Sequence, residues 1–172
     1  LGGTFTSRIN MNLREDKHWS YGARSSLTET RGQRPWLLSA PVQTDKTVES
    51  IQEIRRELAD LLATRPITAE EFAKVRNRDV RALSGQYETN AAVSGAIGDI
   101  VRFGRPDNYV RTLRARLQTQ TDAGVRQAAT QAFQPDSLTW VMVGDLSRIE
   151  APIRELGLGS VQVLDADGNV LR

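Results

Sequence analysis

The residue types that could do chemistry in this chain are few, and they argue against a metal centre of its own. The chain has one histidine, His18, and no cysteine. A zinc site needs several His, Cys or carboxylate ligands, so we interpret His18 as an ordinary turn residue. Glu70 and Glu71 form an acidic pair, but they stand at the start of a helical pattern, which favours helix capping over acid/base catalysis.

The charge pattern also excludes classes of function. The 172 residues carry 23 Lys and Arg against 21 Asp and Glu, a net charge of +2. Most arginines alternate with acidic residues, as in 53–57, which is typical of solvated helix faces. The densest basic stretch, Arg102 to Arg116, alternates with apolar residues and predicts an amphipathic helix. Without a basic stripe and stacking aromatics we expect no nucleic-acid binding, and no apolar run is long enough for a membrane span.

The elements that must position any site begin with a short helix and a hairpin. Phe5, Ile9 and Leu13 recur every four residues, which predicts one helical face with a glycine pair at its start. Segments 20–30 and 34–43 read as two strands joined by a turn at 30–33. The sequence therefore predicts an antiparallel hairpin directly after the first helix.

Helices dominate the rest of the chain. Apolar periodicity predicts a helix from a cap at Asp45 or Thr47 to residue 62, and Thr68 with Glu71 forms a capping box that starts the next one, which continues to residue 83. Further helices are predicted over 93–103, 109–117 and from Thr121 or Asp122 to about residue 133.

Two late strands complete the predicted fold. The continuous apolar run 138–143 reads as a buried strand, and 161–164 reads as a last strand. Ser147 with Glu150 offers a capping box between them, although Pro152 suggests a later helix start. The expected architecture is α+β in a single domain over 1–172, with helices packed on one face of a mostly antiparallel sheet.

The order of these segments resembles the insulinase-like zinc peptidases, a family that includes pitrilysin, insulysin and the mitochondrial processing peptidase. Leu1–Asn10 is similar to the family's glycine-pair and Ser-Arg-Ile segment. Asn12–Glu15 followed by Tyr21–Ala23 resembles its next block, and His18–Tyr21 resembles the processing-peptidase version. Segments 42–47, 67–72 and 141–145 resemble later blocks. The resemblance runs over almost the whole chain and rests on the order and spacing of the blocks.

The resemblance implies a partner. In this family two types of domain face each other across a closed chamber, and one type carries the inverted zinc motif H-x-x-E-H. This chain has no such motif, so the resemblance implies the zinc-less, processing-peptidase-like type with its N-terminal part missing. We expect no cofactor in this chain, zinc in a partner domain of the same polypeptide or a second subunit, and no hydrolysis by this chain alone.

The resemblance also assigns roles to particular residues. The family's zinc-less domain uses an Arg and a Tyr seven residues apart, a spacing that Arg14 and Tyr21 match. A guanidinium and a phenol can stabilise the charge that develops on a scissile carbonyl oxygen. Without the resemblance, a helix-end cation and a strand aromatic would be the simpler interpretation. The other candidate substrate-binding residues share the first helix or its start: Gly2, Gly3, Arg8 and Asn12.

These candidates have structural alternatives. The glycines resemble a segment past which substrate backbone can move, but a glycine helix start explains them equally well. Arg8 and Asn12, one turn apart, either line the chamber or are simply solvated.

The expected function is therefore substrate binding in the non-zinc half of an inverzincin-type metalloendopeptidase. The alternatives are a structural core-type homologue without peptidase activity and a peptide-binding module that uses a sheet edge. Segment 164–168 resembles exported bacterial members, which suggests the periplasm. An exposed sheet edge would also allow self-association.

Overall fold

The computed structural model describes residues 1–172. Its first helix, α1, spans Arg8–Asn10 and continues without a break into a π-helical segment, Met11–Asp16. Ile9 and Leu13 are each 1% exposed, as their four-residue spacing predicts, whereas Phe5 is 60% exposed. The predicted start at Phe5 is wrong because the Ser7 N–H bonds to the Thr4 carbonyl, so a turn precedes the helix.

The predicted hairpin is confirmed. Strand β1, Arg24–Leu27, pairs antiparallel with β2, Trp36–Ser39, in a register from Arg24 opposite Ser39 to Leu27 opposite Trp36. Alternation along β2 turns Trp36 and Leu38 towards the core and leaves Leu37 exposed. The helices therefore cover one face of this sheet, and the α+β class is confirmed.

Six further helices follow the hairpin. They are α2, Thr47–Leu62; α3, Ala69–Ala82; α4, Asn90–Phe103; α5, Tyr109–Gln118; α6, Asp122–Ala132; and α7, Leu146–Glu155. Short 3-10 turns precede α2 at Thr44–Lys46 and follow α6 at Pro135–Ser137. None of these helices combines the length and apolar composition that a bilayer crossing requires.

The helix ends test the capping predictions. The capping box of α3 is present, with the Glu71 N–H donating to Thr68 Oγ1 and the Thr68 N–H donating to the Glu71 carboxylate. The cap predicted for α2 is wrong, since Lys46 precedes the helix and makes no side-chain cap bond. The capping box predicted for α7 is wrong too, because Asp145 caps that helix and Pro152 lies inside it.

The two late strands are not formed as predicted. Segment 138–143 has no strand neighbour. Segment 161–164 meets residues 170–172 only briefly, in an isolated bridge between Leu164 and Val170 and in two backbone hydrogen bonds of Val163 with Leu171 and Arg172. Segment 138–143 nevertheless alternates as a strand does, with Trp140 and Met142 packed on the core while Val141 and Val143 are 84% and 98% exposed. The apolar run predicts burial on both faces, but without a neighbouring strand the Val141 and Val143 side chains stay exposed, so the prediction of a buried strand is wrong. The sheet is therefore two-stranded.

Helix α2 is the centre of the core. Its Ile54 and Leu58 pack with Ile9, Leu13 and Ala23, while Ile51 packs with Ile149 and Ile153 of α7. Helices α3 to α6 contain no fully buried residue. The best-packed part of the molecule is therefore the part that holds the first helix and the hairpin in place.

Candidate functional site

The chain reverses direction directly after the π-helical segment, and this reversal positions the candidate site. Arg14 lies within Met11–Asp16, the widened turn of the first helix. His18 then adopts a positive φ of 57°, which is uncommon for a residue other than glycine. The Trp19 and Ser20 N–H groups both bond to the Leu13 carbonyl, so the chain folds back beside the helix. Isolated π-helical turns are often found at functional sites.

The reversal brings Arg14 and Tyr21 together. The Arg14 guanidinium carbon lies 5.1 Å from the centre of the Tyr21 ring and 4.7 Å from that of Phe5. Tyr21 is 88% exposed, and the Arg14 side chain is about one-third exposed, with Nε 3.1 Å from Glu15 Oε1. A guanidinium and a phenol therefore face solvent side by side, and their catalytic roles stay predictions.

Asn10 holds this arrangement, and the sequence analysis missed it. Its side-chain amide donates to the Phe5 carbonyl at 2.6 Å, and its side-chain oxygen accepts from the Ala23 N–H at 2.9 Å. Asn10 is 4% exposed, so it ties together the two segments that carry the aromatic rings beside Arg14. A polar residue next to the apolar Ile9 was the only sequence signal.

Arg8 and Asn12 both have partners inside the protein. Arg8 donates to both carboxylate oxygens of Glu71 at 2.7 Å and to the carbonyls of Arg65 and Pro66. The amide of Asn12, 6% exposed, donates to the carboxylates of Glu53 and Glu57 on α2. Neither side chain is simply solvated, and their substrate-binding roles stay predictions.

The two glycines differ in their surroundings. Gly2 is buried, its carbonyl accepts from the Ser25 N–H at 2.9 Å, and a Cβ atom there would lie 2.5 Å from Ser25 Oγ. Gly3 is exposed, and a Cβ there would meet no atom within 4 Å. Gly2 therefore has a packing role against β1. The passage of substrate along Gly2 and Gly3 stays a prediction.

The ion pair between Arg8 and Glu71 shifts both pKa values. The hydrogen bond from Arg8 lowers the pKa of Glu71 to about 2, with a further contribution from the Thr68 backbone N–H. The same hydrogen bond raises the pKa of Arg8. This ion pair joins the first helix to α3 and thereby helps to hold the candidate site in place.

No metal site is formed by this chain's own residues. No group of three or more His, Cys, Asp or Glu side chains is arranged to hold a metal ion. His18, the one histidine, instead places Nδ1 3.0 Å from the Arg14 carbonyl oxygen. The donor set therefore does not fit a zinc ion.

Comparisons with known proteins bear on the family and the fold of this chain. Residues 1–78, which include Arg14 and Tyr21, match the family described as "Peptidase M16 inactive domain". A crystal structure of a peptidase M16 inactive domain from Pseudomonas fluorescens has a similar fold, with a TM-score of 0.71 and 20% sequence identity. The likeness covers 78% of this chain and 32% of that chain, so this chain spans about a third of its length. A comparison with curated proteins gives no match.

Proposed function

We propose that this protein binds peptide substrate as the zinc-less half of a metalloendopeptidase, because residues 1–78 match the peptidase M16 inactive-domain family and the chain shares that domain's fold. It completes an active site whose H-x-x-E-H motif stands on another domain of the same polypeptide or on a second subunit. The observation that carries the proposal is the Arg14 guanidinium beside the exposed Tyr21 ring.

The chemistry of the pair follows from charge. When a peptide carbonyl is attacked, negative charge develops on its oxygen, and donors fixed in advance at that position stabilise the transition state. The Tyr21 phenol is one such donor. The Arg14 guanidinium, with Nε engaged by Glu15, has its terminal N–H groups as further donors to the same peptide unit. Zinc in the partner domain would supply the activated water.

The supporting contacts favour a pair that is already in position before substrate binds. Phe5 and Tyr21 both contact the Arg14 guanidinium, and such rings fix a cation without neutralising its charge. Asn10 joins Phe5 to the start of β1. A donor that is already held in place loses little conformational freedom when substrate arrives, which is the condition for efficient electrostatic stabilisation.

A second candidate function rests on the sheet. The sheet has two strands, so the outer edge of β2 has no neighbour, and an extended peptide or a second copy of the chain could add a strand there. This binding role does not require peptidase activity. For both candidates we propose a periplasmic location, since segment 164–168 resembles exported members of the family.

The test of the first proposal is kinetic. In an assembly with the zinc-bearing domain, Tyr21→Phe is expected to lower kcat by about 100- to 1,000-fold, as the loss of one oxyanion donor does. Arg14→Ala is expected to lower kcat and raise KM, because the guanidinium also holds the ground-state carbonyl. The chain without that domain is expected to hydrolyse no peptide.

Matched variants make the result specific. Tyr87→Phe and Arg114→Ala remove the same groups elsewhere on the chain and are expected to leave both constants unchanged. Full activity of the Tyr21→Phe, Arg14→Ala double variant in the assembly would exclude the proposed role and leave binding at the sheet edge as the remaining candidate.

A further inference from the structure

A second site of distinct chemistry lies between the hairpin loop and the end of α4. Four arginines and one glutamate line an open cleft of about 570 Å³ there: Arg31, Arg34, Arg102, Arg105 and Glu29. Neither Arg14 nor Tyr21 contributes to it. Because four positive side chains face one negative one, the lining carries a formal charge of 4 − 1 = +3, and anions are attracted to such a concave positive surface.

Two of the arginines, Arg31 and Arg102, are held in place by contacts that leave their charge uncompensated. Arg31 Nε donates to the Arg102 carbonyl, a neutral acceptor that α4 leaves free at its C-terminus. The guanidinium carbons of Arg102 and Arg105 lie 5.1 and 4.7 Å from the centre of the Phe103 ring. Contact with an aromatic ring orients a guanidinium and leaves its edge N–H groups free to bind an anion.

Glu29 shows that the cleft accepts a carboxylate. Its Oε1 atom lies 3.0 Å from an Arg105 terminal nitrogen and 3.6 Å from one of Arg34. Arg31 and Arg102 have no carboxylate partner, so one internal acid leaves most of the positive charge unpaired. A second carboxylate group from outside would find the same kind of donors that Glu29 already uses.

We infer that this cleft binds an acidic, Asp- or Glu-containing segment of a polypeptide. The inference rests on the proposed function, since it adds a recognition element for peptide substrate outside the Arg14 and Tyr21 pair. The cleft is open, which suits a side chain on an extended peptide. A nucleic acid is disfavoured because Phe103 and Tyr109 each already contact two guanidinium groups and are not free to stack on bases.

The experiment measures binding directly, on the full 172-residue chain, with fluorescein-labelled hexaglutamate at low salt. Replacing two unneutralised arginines, Arg31→Gln with Arg102→Gln, is expected to weaken binding by about tenfold or more, because each loses charge-assisted hydrogen bonds. The matched control, Arg55→Gln with Arg148→Gln, removes the same charge from exposed positions outside the cleft and is expected to change binding by less than about twofold.

The direction in which a second variant changes hexaglutamate binding gives an independent check. Glu29→Gln removes the internal carboxylate and is expected to tighten hexaglutamate binding, whereas Glu155→Gln, at an exposed position outside the cleft, is expected to leave it unchanged. Equal weakening by both arginine pairs would overturn the inference, since it would indicate only general electrostatic attraction.

Two competitors test the ligand class. Inorganic pyrophosphate that displaces hexaglutamate at equal or lower concentration would reassign the cleft to small oxyanions, and tighter binding of a DNA duplex would reassign it to nucleic acid. Each of these outcomes overturns the peptide assignment. Failure here leaves the kinetic test of Arg14 and Tyr21 unaffected, because hexaglutamate binding is measured without the zinc-bearing domain.

Discussion

Gly2 offers a sharp test of how the first segment is built. Its carbonyl accepts a hydrogen bond from the Ser25 N–H at 2.9 Å, and this contact places the N-terminal segment against β1. A Cβ atom at Gly2 would lie 2.5 Å from Ser25 Oγ and 2.6 Å from the Ser25 backbone nitrogen. The hydroxyl can rotate away, but the nitrogen belongs to the sheet and cannot.

The cost of Gly2→Ala follows from these distances. Ordinary contact begins at 3.4 Å, so the two backbones must separate by 3.4 − 2.6 = 0.8 Å. Forcing extra volume into a well-packed site costs about 1–3 kcal/mol. The separation also weakens the hydrogen bond between Ser25 and Gly2, worth about 0.5–1.5 kcal/mol. We therefore expect Gly2→Ala to lower the free energy of unfolding by about 2–4 kcal/mol.

Gly3→Ala is the matched control, because a Cβ at Gly3 meets no atom within 4 Å. This variant is expected to leave stability unchanged or to raise it by up to about 1 kcal/mol, because alanine lowers the conformational entropy of the unfolded chain. Urea denaturation followed by circular dichroism measures both variants. Equal stability of Gly2→Ala and the unchanged protein would contradict the packing role. A loss of activity in the assembly without a loss of stability would instead favour the passage of substrate along the glycines.

Other predictions concern the support, the core and the sheet edge. Glu71→Gln should lower the free energy of unfolding near neutral pH by about 1–2 kcal/mol. The fall of the Glu71 pKa from 4.5 to about 2 implies an upper bound of about 3.4 kcal/mol. The expected value is smaller because the carboxylate is 41% exposed and screened by solvent. Since the folded-state pKa is lowered, this stabilisation is complete above pH 4.5 and is lost as the pH falls towards 2. Urea titrations at several pH values should show this loss for the unchanged protein and for the control variant Glu70→Gln. An equal loss in Glu71→Gln would contradict the role of Glu71. Leu58→Ala, at a residue 1% exposed, should cost about 2–5 kcal/mol in chemical denaturation, whereas Leu37→Ala, at a residue 58% exposed, should change stability by less than about 0.5 kcal/mol. The open edge of β2 should cause self-association in analytical ultracentrifugation that Leu37→Lys reduces, because edge charges oppose strand pairing; a monomer at high concentration would refute it.

Local patterns determined much of the fold. The hairpin and the capping box of α3 were both predicted from short-range chemistry, and each is present. The single histidine and the lack of cysteine are also read from the sequence alone. The resemblance to the zinc-less type of peptidase domain is confirmed by the match over residues 1–78 and by the shared fold.

Long-range contacts decided what local patterns could not. The apolar run at 138–143 predicted a buried strand, but the segment has no neighbouring strand, because pairing depends on which segments meet in space. Arg8 reads as a solvated or substrate-facing residue until the structure places Glu71 beside it, 63 positions along the chain.

For the candidate site too, the sequence and the tertiary structure each decided a different part. The resemblance to the peptidase family, which includes a seven-residue spacing, selected Arg14 and Tyr21, but spacing alone cannot show that two side chains meet. The meeting depends on a π-helical turn, a positive φ at His18 and the buried Asn10 amide, none of which has a distinct sequence signal. Residue types limited the chemistry that is available to this chain. The tertiary structure decided which of those groups stand together, because hydrogen bonds between distant segments fix their positions and sequence separation does not.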